Sequence, residues 1–164
     1  MMHKVISNAS PLIALTGINL LHILNDLWKE IIIPEAVYKE VVTNGGGKPG
    51  VAAIKSACKS WIKVVSARNK HEIDALRTIL DDGEAEVVTL GQELSADLLL
   101  LDNREPRLFA TSVNLKVMGT IGVIRLAWQR GLVEDPVKEI YRLRFNGFWI
   151  SDKLIEQIKL EIGI

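Results

Sequence analysis

The chain has 164 residues, enough for one compact domain with a substantial core. Apolar residues make up 48% of it, which excludes a disordered chain, and the longest apolar runs, LLLL at 98–101 and III at 31–33, are far too short to cross a membrane. Twenty basic residues balance twenty acidic ones, so bulk charge gives no drive toward polyanions, and nucleic acid binding would need a local basic rim.

The N-terminal MMHKVISN lacks the charged, apolar and small-residue pattern of a secretory signal, and the single Cys58 cannot form an internal disulfide. Both point to a reducing cytoplasm. One cysteine also excludes a Cys-based zinc site, and His3, His22 and His71 have no ligand spacing. The high apolar fraction with few aromatics leads us to expect a partner or a dimer.

In chain order, short apolar runs alternate with helical segments. That pattern predicts an α/β fold with a mostly parallel sheet covered by helices. Strands are expected at 4–7, 30–33, 62–66, 97–101 and 115–118, all rich in Val, Ile and Leu with little alternation. Ser10-Pro11 reads as an N-cap followed by proline at the first helical position, and Pro34 and Pro106 mark two more helix entries. The helical spacing of Ile73, Leu76, Ile79 and Leu80 predicts a helix over 72–80, ended by Asp81-Asp82-Gly83, which also opens the next. Further helices are expected at 119–130, 136–144 and 152–162, the last amphipathic. TNGGGKPG at 43–50 fails the phosphate-loop pattern, because no Ser or Thr follows Lys48 and a helix, not a strand, precedes it; it reads as a flexible connector, with a mobile flap near substrate as the other reading.

Four polar positions sit where strands end or helices begin: Asn8, Glu40, Glu84 and Asp102. Asp102 directly follows a leucine strand, at the edge where open α/β sheets bind ligands; its other reading is a cap for the next helix, although Asn103 or Glu105 suits that place better. Asn8 ends the first strand, either as a turn residue or as a neutral oxygen ligand. Ser10 is a cap or a pocket hydroxyl. Glu84 has a second reading as N3 of a capping box with Asp81, and Glu86, two residues on, must point elsewhere. Glu40 by itself reads as a solvated helix face. Arg104 and Arg107 have the forked donors that suit phosphate. Arg142 and Arg144 read as a solvated face, and Phe148 and Trp149 read as packing or as base-stacking residues.

Taken together, SNASPLIAL, IPEAVYKEV, DDGEAEVVTLGQELSADLLLLDN and LKVMGTIGVIRLAWQRGLV resemble, in order and spacing, an uncharacterised prokaryotic branch of the PIN-domain superfamily. The resemblance covers nearly the whole chain. It implies a single doubly wound α/β domain over 1–164 with about five strands, its helices at 134–162 packed on the body or on a partner. It also implies RNA cleavage with Mg²⁺ or Mn²⁺ held by clustered acids, and for many members a role as the toxin of a toxin–antitoxin pair of the VapC type. The expected partners are then RNA, a small antitoxin-like protein and a second copy in a homodimer, with no membrane. Carried over by position, Glu40, Glu84 and Asp102 stand at the family's acids, and Asn8 stands where the family has aspartate. Ser10 stands where asparagine is common, Leu100 where threonine or serine is common, and Glu105 is nearest to a further acid. The resemblance thus makes Asp102, Glu84, Glu40 and Asn8 the catalytic and metal-binding set, with Ser10 and Arg104 on the substrate. The neutral Asn8 opens a second expectation, a catalytically weak relative that serves as a nucleic-acid or protein binding module.

Overall fold

Five runs of branched apolar residues build one all-parallel sheet. In the computed structural model, which describes residues 3–164, they are β1 (Val5–Ser7), β2 (Ile31–Ile33), β3 (Ile62–Val64), β4 (Leu98–Leu100) and β5 (Val117–Met118). Met1 and Met2 of the N-terminal segment lie outside the described residues. The order across the sheet is β3-β2-β1-β4-β5. Ile6, Ile31, Ile33, Leu99 and Leu100 are fully buried, which is why β1, β2 and β4 show no polar alternation, whereas the edge strand β3 buries Ile62 and exposes Lys63 and Val64. Every expected strand forms, each a residue or two shorter at an end.

Parallel pairing needs crossovers, and helices supply them. Among the described residues these are α1 (Ala9–Gly17), α2 (His22–Trp28), α3 (Glu35–Tyr38), α4 (Val51–Ala57), α5 (Lys70–Leu76), α6 (Asp82–Glu93), α7 (Arg104–Ser112), α8 (Thr120–Gln129), α9 (Pro136–Phe145) and α10 (Asp152–Glu161). α6 lies against β1 and β4, with α3, α5 and α7 beside it. α1 packs with α4, α8 and α9 in a second group. α9 and α10 close on the body through Ile140, Leu143, Ile155 and Ile158, all buried.

Several local expectations change. α2 and α4 have no side-chain cap to announce them. α2 is instead bracketed by Asn19 and Lys29 in left-handed backbone, an unusual choice over glycine. The 43–50 connector is tied down where it meets α4. Gly50 has φ +90° and sits so close to α1 that a β-carbon there would lie 2.5 Å from Thr16 Cγ2. α5 starts and stops earlier than expected, because the Asn69 side chain caps it by accepting the Glu72 N–H, and Ile79 lies beyond its end, exposed. Ser10 is not a cap: α1 begins at Ala9, and Asn8 holds the capping position without a side-chain cap bond.

Two features position the site. Chain order runs outward from β1 in both directions, through β2 and β3 on one side and β4 and β5 on the other. The β1–β4 seam is therefore the switch point, where a crevice opens at the carboxyl ends of the strands. In addition, α3 passes into a π-helical turn over Lys39–Thr43, closed by the Asn44 N–H donating to Lys39 O at 2.7 Å. Such turns interrupt regular helices at functional places, and this one carries Glu40.

Candidate active site

The β1–β4 seam places Asn8 first. Its backbone N–H donates to Leu100 O at 3.0 Å, extending the ladder one step past Ser7. The side chain is then driven inward, 6% exposed, and its Oδ1 is buried without a hydrogen-bond partner. A buried amide oxygen left bare costs about 1–3 kcal/mol, so it marks a place where a donor or cation belongs.

Glu40 and α6 bring the acids. A β-carbon on Gly83 would lie 3.0 Å from Asn8 Oδ1 and 3.5 Å from Glu40 Oε2, so both oxygens face one small space kept open by a glycine. The Glu40 side chain reaches the rim of the cleft, and its carboxyl is pushed above the ordinary value of 4.5, first by partial burial, then by the negative charges of Asp81 and Glu84. Glu84 is buried and fully engaged. Its Oε1 accepts the Asp81 N–H (3.1 Å) while Asp81 Oδ1 accepts the Glu84 N–H (2.8 Å), a reciprocal capping box. Its Oε2 accepts from Asn103 Nδ2 at 2.7 Å. Glu86 points away, as its helical offset requires, and accepts the Ala36 N–H that opens α3.

Asp102 is a clasp. Its Oδ2 accepts from Ser10 Oγ (2.6 Å) and Thr120 Oγ1 (2.8 Å), and its Oδ1 accepts the Thr120 N–H (2.7 Å). α8 begins after Gly119, which has no side chain to cap it, so Asp102 caps it from across the sheet edge. That reach needs the glycine: a β-carbon on residue 119 would lie 3.0 Å from Asp102 Oδ1 and 2.7 Å from Arg107 Nη1. One carboxylate thereby joins the starts of α1 and α8 to the end of β4.

A cleft of about 1040 Å³ opens over this edge. Asn8, Ser10, Glu40, Asp81 and Asn103 give it a polar wall, and Ile13, Ala14 and Phe148 give it an apolar one. Glu84 and Asp102 stand behind that wall, connected to it through Asn103 and Ser10. Arg104 opens α7 with its side chain exposed and does not line the cleft. Arg107, the other arginine after Asp102, points back and donates to Leu101 O at 3.3 Å. Thr120 escaped the sequence reading. Its only signal is a Gly-Thr pair opening a helix without a side-chain cap, which implies a cap supplied from elsewhere.

The doubly wound sheet and its switch-point cleft of carboxylate and amide oxygens define a small α/β domain with its chemistry at the carboxyl edge. More narrowly, the chain belongs to the PIN-domain family, whose pattern matches residues 4–163. PIN domains are nuclease-type proteins and generally depend on divalent metal ions. No curated protein matches the chain.

The donor set bears on that metal dependence. All of the polar groups at the cleft edge offer oxygen, the choice of hard cations such as Mg²⁺ and Mn²⁺. The bare Asn8 Oδ1 and the strained charge of Glu40 fit a cation between them. Among the described residues no three His, Cys, Asp or Glu side chains form a ready cage. The fit therefore centres on Asn8 and Glu40, with Asp81 and Glu84 as nearby negative charge. No helix among the described residues is long and apolar enough to cross a membrane.

Proposed function

We propose that this chain is a divalent-metal-dependent endoribonuclease of the toxin type, restrained by a small protein partner and working as a homodimer. The observation that carries the nuclease reading is the unpartnered, buried Asn8 Oδ1 sharing one space with Glu40 Oε2 above Gly83. A group that is both bare and beside excess negative charge is best satisfied by a cation.

A bound Mg²⁺ or Mn²⁺ would supply a counter-charge for the phosphate and a more acidic water. Asn8 and Glu40 would hold it, with Asn8 contributing no charge. Asp81 and Glu84 add long-range attraction, and the capping box holds both carboxylates in place. Asp102 takes the single Ser10 hydroxyl proton and so fixes Ser10 at the cleft wall, with its oxygen left as an acceptor there. Arg104 stays exposed at the start of α7, outside the cleft lining, and would meet a strand only beyond the cleft.

The test is cleavage of a structured RNA with Mn²⁺, set against the same reaction in chelator and against Glu40→Gln. Cleavage that persists in chelator, or that is equal in the variant, rejects the assignment. A second reading has its own support in the amide at position 8 and the full engagement of Asp102: a PIN relative that binds RNA or protein without turnover. It predicts stable complexes and no cleavage at any metal concentration.

A further inference from the structure

The α9–α10 corner exposes Phe145 at 92%, more than any other large apolar side chain among the described residues. The corner is not loose. Asn146 Nδ2 donates to Gly17 O at 2.9 Å, tying it to the end of α1. The Phe148 N–H donates to Leu143 O at 3.0 Å, which turns Phe148 inward to the cleft. Phe145 is therefore held out on a fixed backbone. Packing explains Phe148 and does not explain Phe145.

A groove of about 500 Å³ runs beside it, lined by Gly17, Lys138, Tyr141, Arg142, Phe145 and Asn146. Gly17 and Asn146 also line the large cleft, so the two depressions meet there. Their ends differ in charge. The cleft ends at Asn8, Glu40 and Asp81. At the groove, Arg142 pairs with Glu139 at 2.7 Å and Arg144 pairs with Asp152 at 2.6 Å, whereas Lys138 has no ion pair among the described residues. The Tyr141 ring already carries the Arg144 guanidinium at 5.2 Å, which leaves Phe145 as the free aromatic face of the groove; Trp149, also exposed, does not line it.

An aromatic groove with one unpaired lysine, leading into an acidic cleft, suits a chain with negative linkages and flat bases. We propose that this groove is a track for single-stranded RNA, with one base stacked on Phe145 and the neighbouring phosphate held by Lys138 and Arg142. The track rests on the nuclease reading for its direction, toward Asn8 and Glu40, but its binding is measurable without turnover.

The experiment uses the full chain and a fluorescein-labelled single-stranded oligouridylate of about a dozen nucleotides, followed by anisotropy in chelator. Phe145→Ala and Lys138→Glu should each weaken binding about tenfold, the loss of one stacked base or one phosphate contact, and Phe145→Trp should keep it. Phe145 has almost no buried surface to lose, and circular dichroism verifies that each variant is folded. Unchanged affinity in both variants, no binding by the wild type, or equal binding of a duplex of the same length overturns the track. A dimer that dissociates with Phe145→Ala while RNA affinity holds also overturns it, and assigns the face to a second copy. Metal-dependent cleavage with unchanged affinities leaves the nuclease reading standing without the track. Weakened affinities in a protein that never cleaves leave the track standing without the nuclease.

Discussion

Asp102→Ala should unfold the protein far more readily than the loss of one edge carboxylate would suggest. Three donors converge on that side chain, at 2.6, 2.7 and 2.8 Å, and two of them belong to Thr120, which is fully buried. A hydrogen bond to a charged group contributes about 1.5–3 kcal/mol, and a buried donor left unpaired costs about 1–3 kcal/mol. The three share one acceptor and are not additive, so the loss should be about 3–5 kcal/mol. For a chain of this size that lowers the melting temperature by roughly 8–15 °C. Thermal unfolding followed by circular dichroism without divalent ions reads it directly, and Asp102→Asn, which keeps one acceptor, should fall between. An Asp102→Ala protein melting within about 2 °C of wild type would refute the clasp and leave the carboxylate free to serve as a ligand. The result also decides how activity data are read, since lost cleavage in a variant that has lost its clasp says little about metal.

Other substitutions separate charge from structure. Asn8→Asp places a second charge beside Glu40 in a buried position, so it should destabilise the metal-free protein by about 2–3 kcal/mol and tighten Mn²⁺ binding about tenfold in calorimetry. Gly83→Ala fills the space that Asn8 and Glu40 share, so it should abolish that binding with little change in melting, because alanine favours the helix as much as the 3.0 Å contact opposes it. Glu40 has a folded pKa above 4.5, so its favourable contribution is complete below that value and is lost as pH rises through the folded value. Glu40→Gln should therefore raise the metal-free melting temperature at pH 7 and leave it unchanged at pH 4; solvent at the rim limits the gain to about 1–3 °C. Ser10→Ala should cost about 1 kcal/mol alone and almost nothing on top of Asp102→Ala, a double-mutant cycle that tests whether they act together.

β2 and β4 were legible because they are largely buried on both faces and so carry an uninterrupted apolar run, whereas the edge strand β3 keeps Lys63 and Val64 exposed. α2 and α4 were not legible because their boundaries are set by tertiary contacts. Gly50 approaches Thr16, and Asn19 and Lys29 adopt left-handed backbone without a glycine to signal it. The capping box of Asp81 and Glu84 could be read from spacing alone, since both partners lie within one helical turn. The clasp could not. Its partners are 92 and 18 residues from Asp102 and meet only when β1, β4 and β5 lie side by side. The same limit applies to Glu40, which by local pattern is a solvated face and acquires neighbours only when α6 packs on α3.

The amide at position 8 then has a physical reading beyond a missing charge. In the folded chain its oxygen shares a space with Glu40 while Asp81 and Glu84 press on the same carboxyl. A carboxylate there would make the metal-free state repel itself in a place that solvent barely reaches, whereas an amide leaves one bare acceptor at a cost of about 1–3 kcal/mol. The exchange lowers attraction for a cation and in return lets the fold stand without one. A site built this way would load its metal only when a second source of oxygen arrives, and the phosphate of an RNA strand on the proposed track would carry that oxygen. Metal affinity measured with and without a non-cleavable oligonucleotide should then differ several-fold in the wild type and converge in Asn8→Asp. Equal affinities in the wild type would show that position 8 weakens the site without coupling it to substrate.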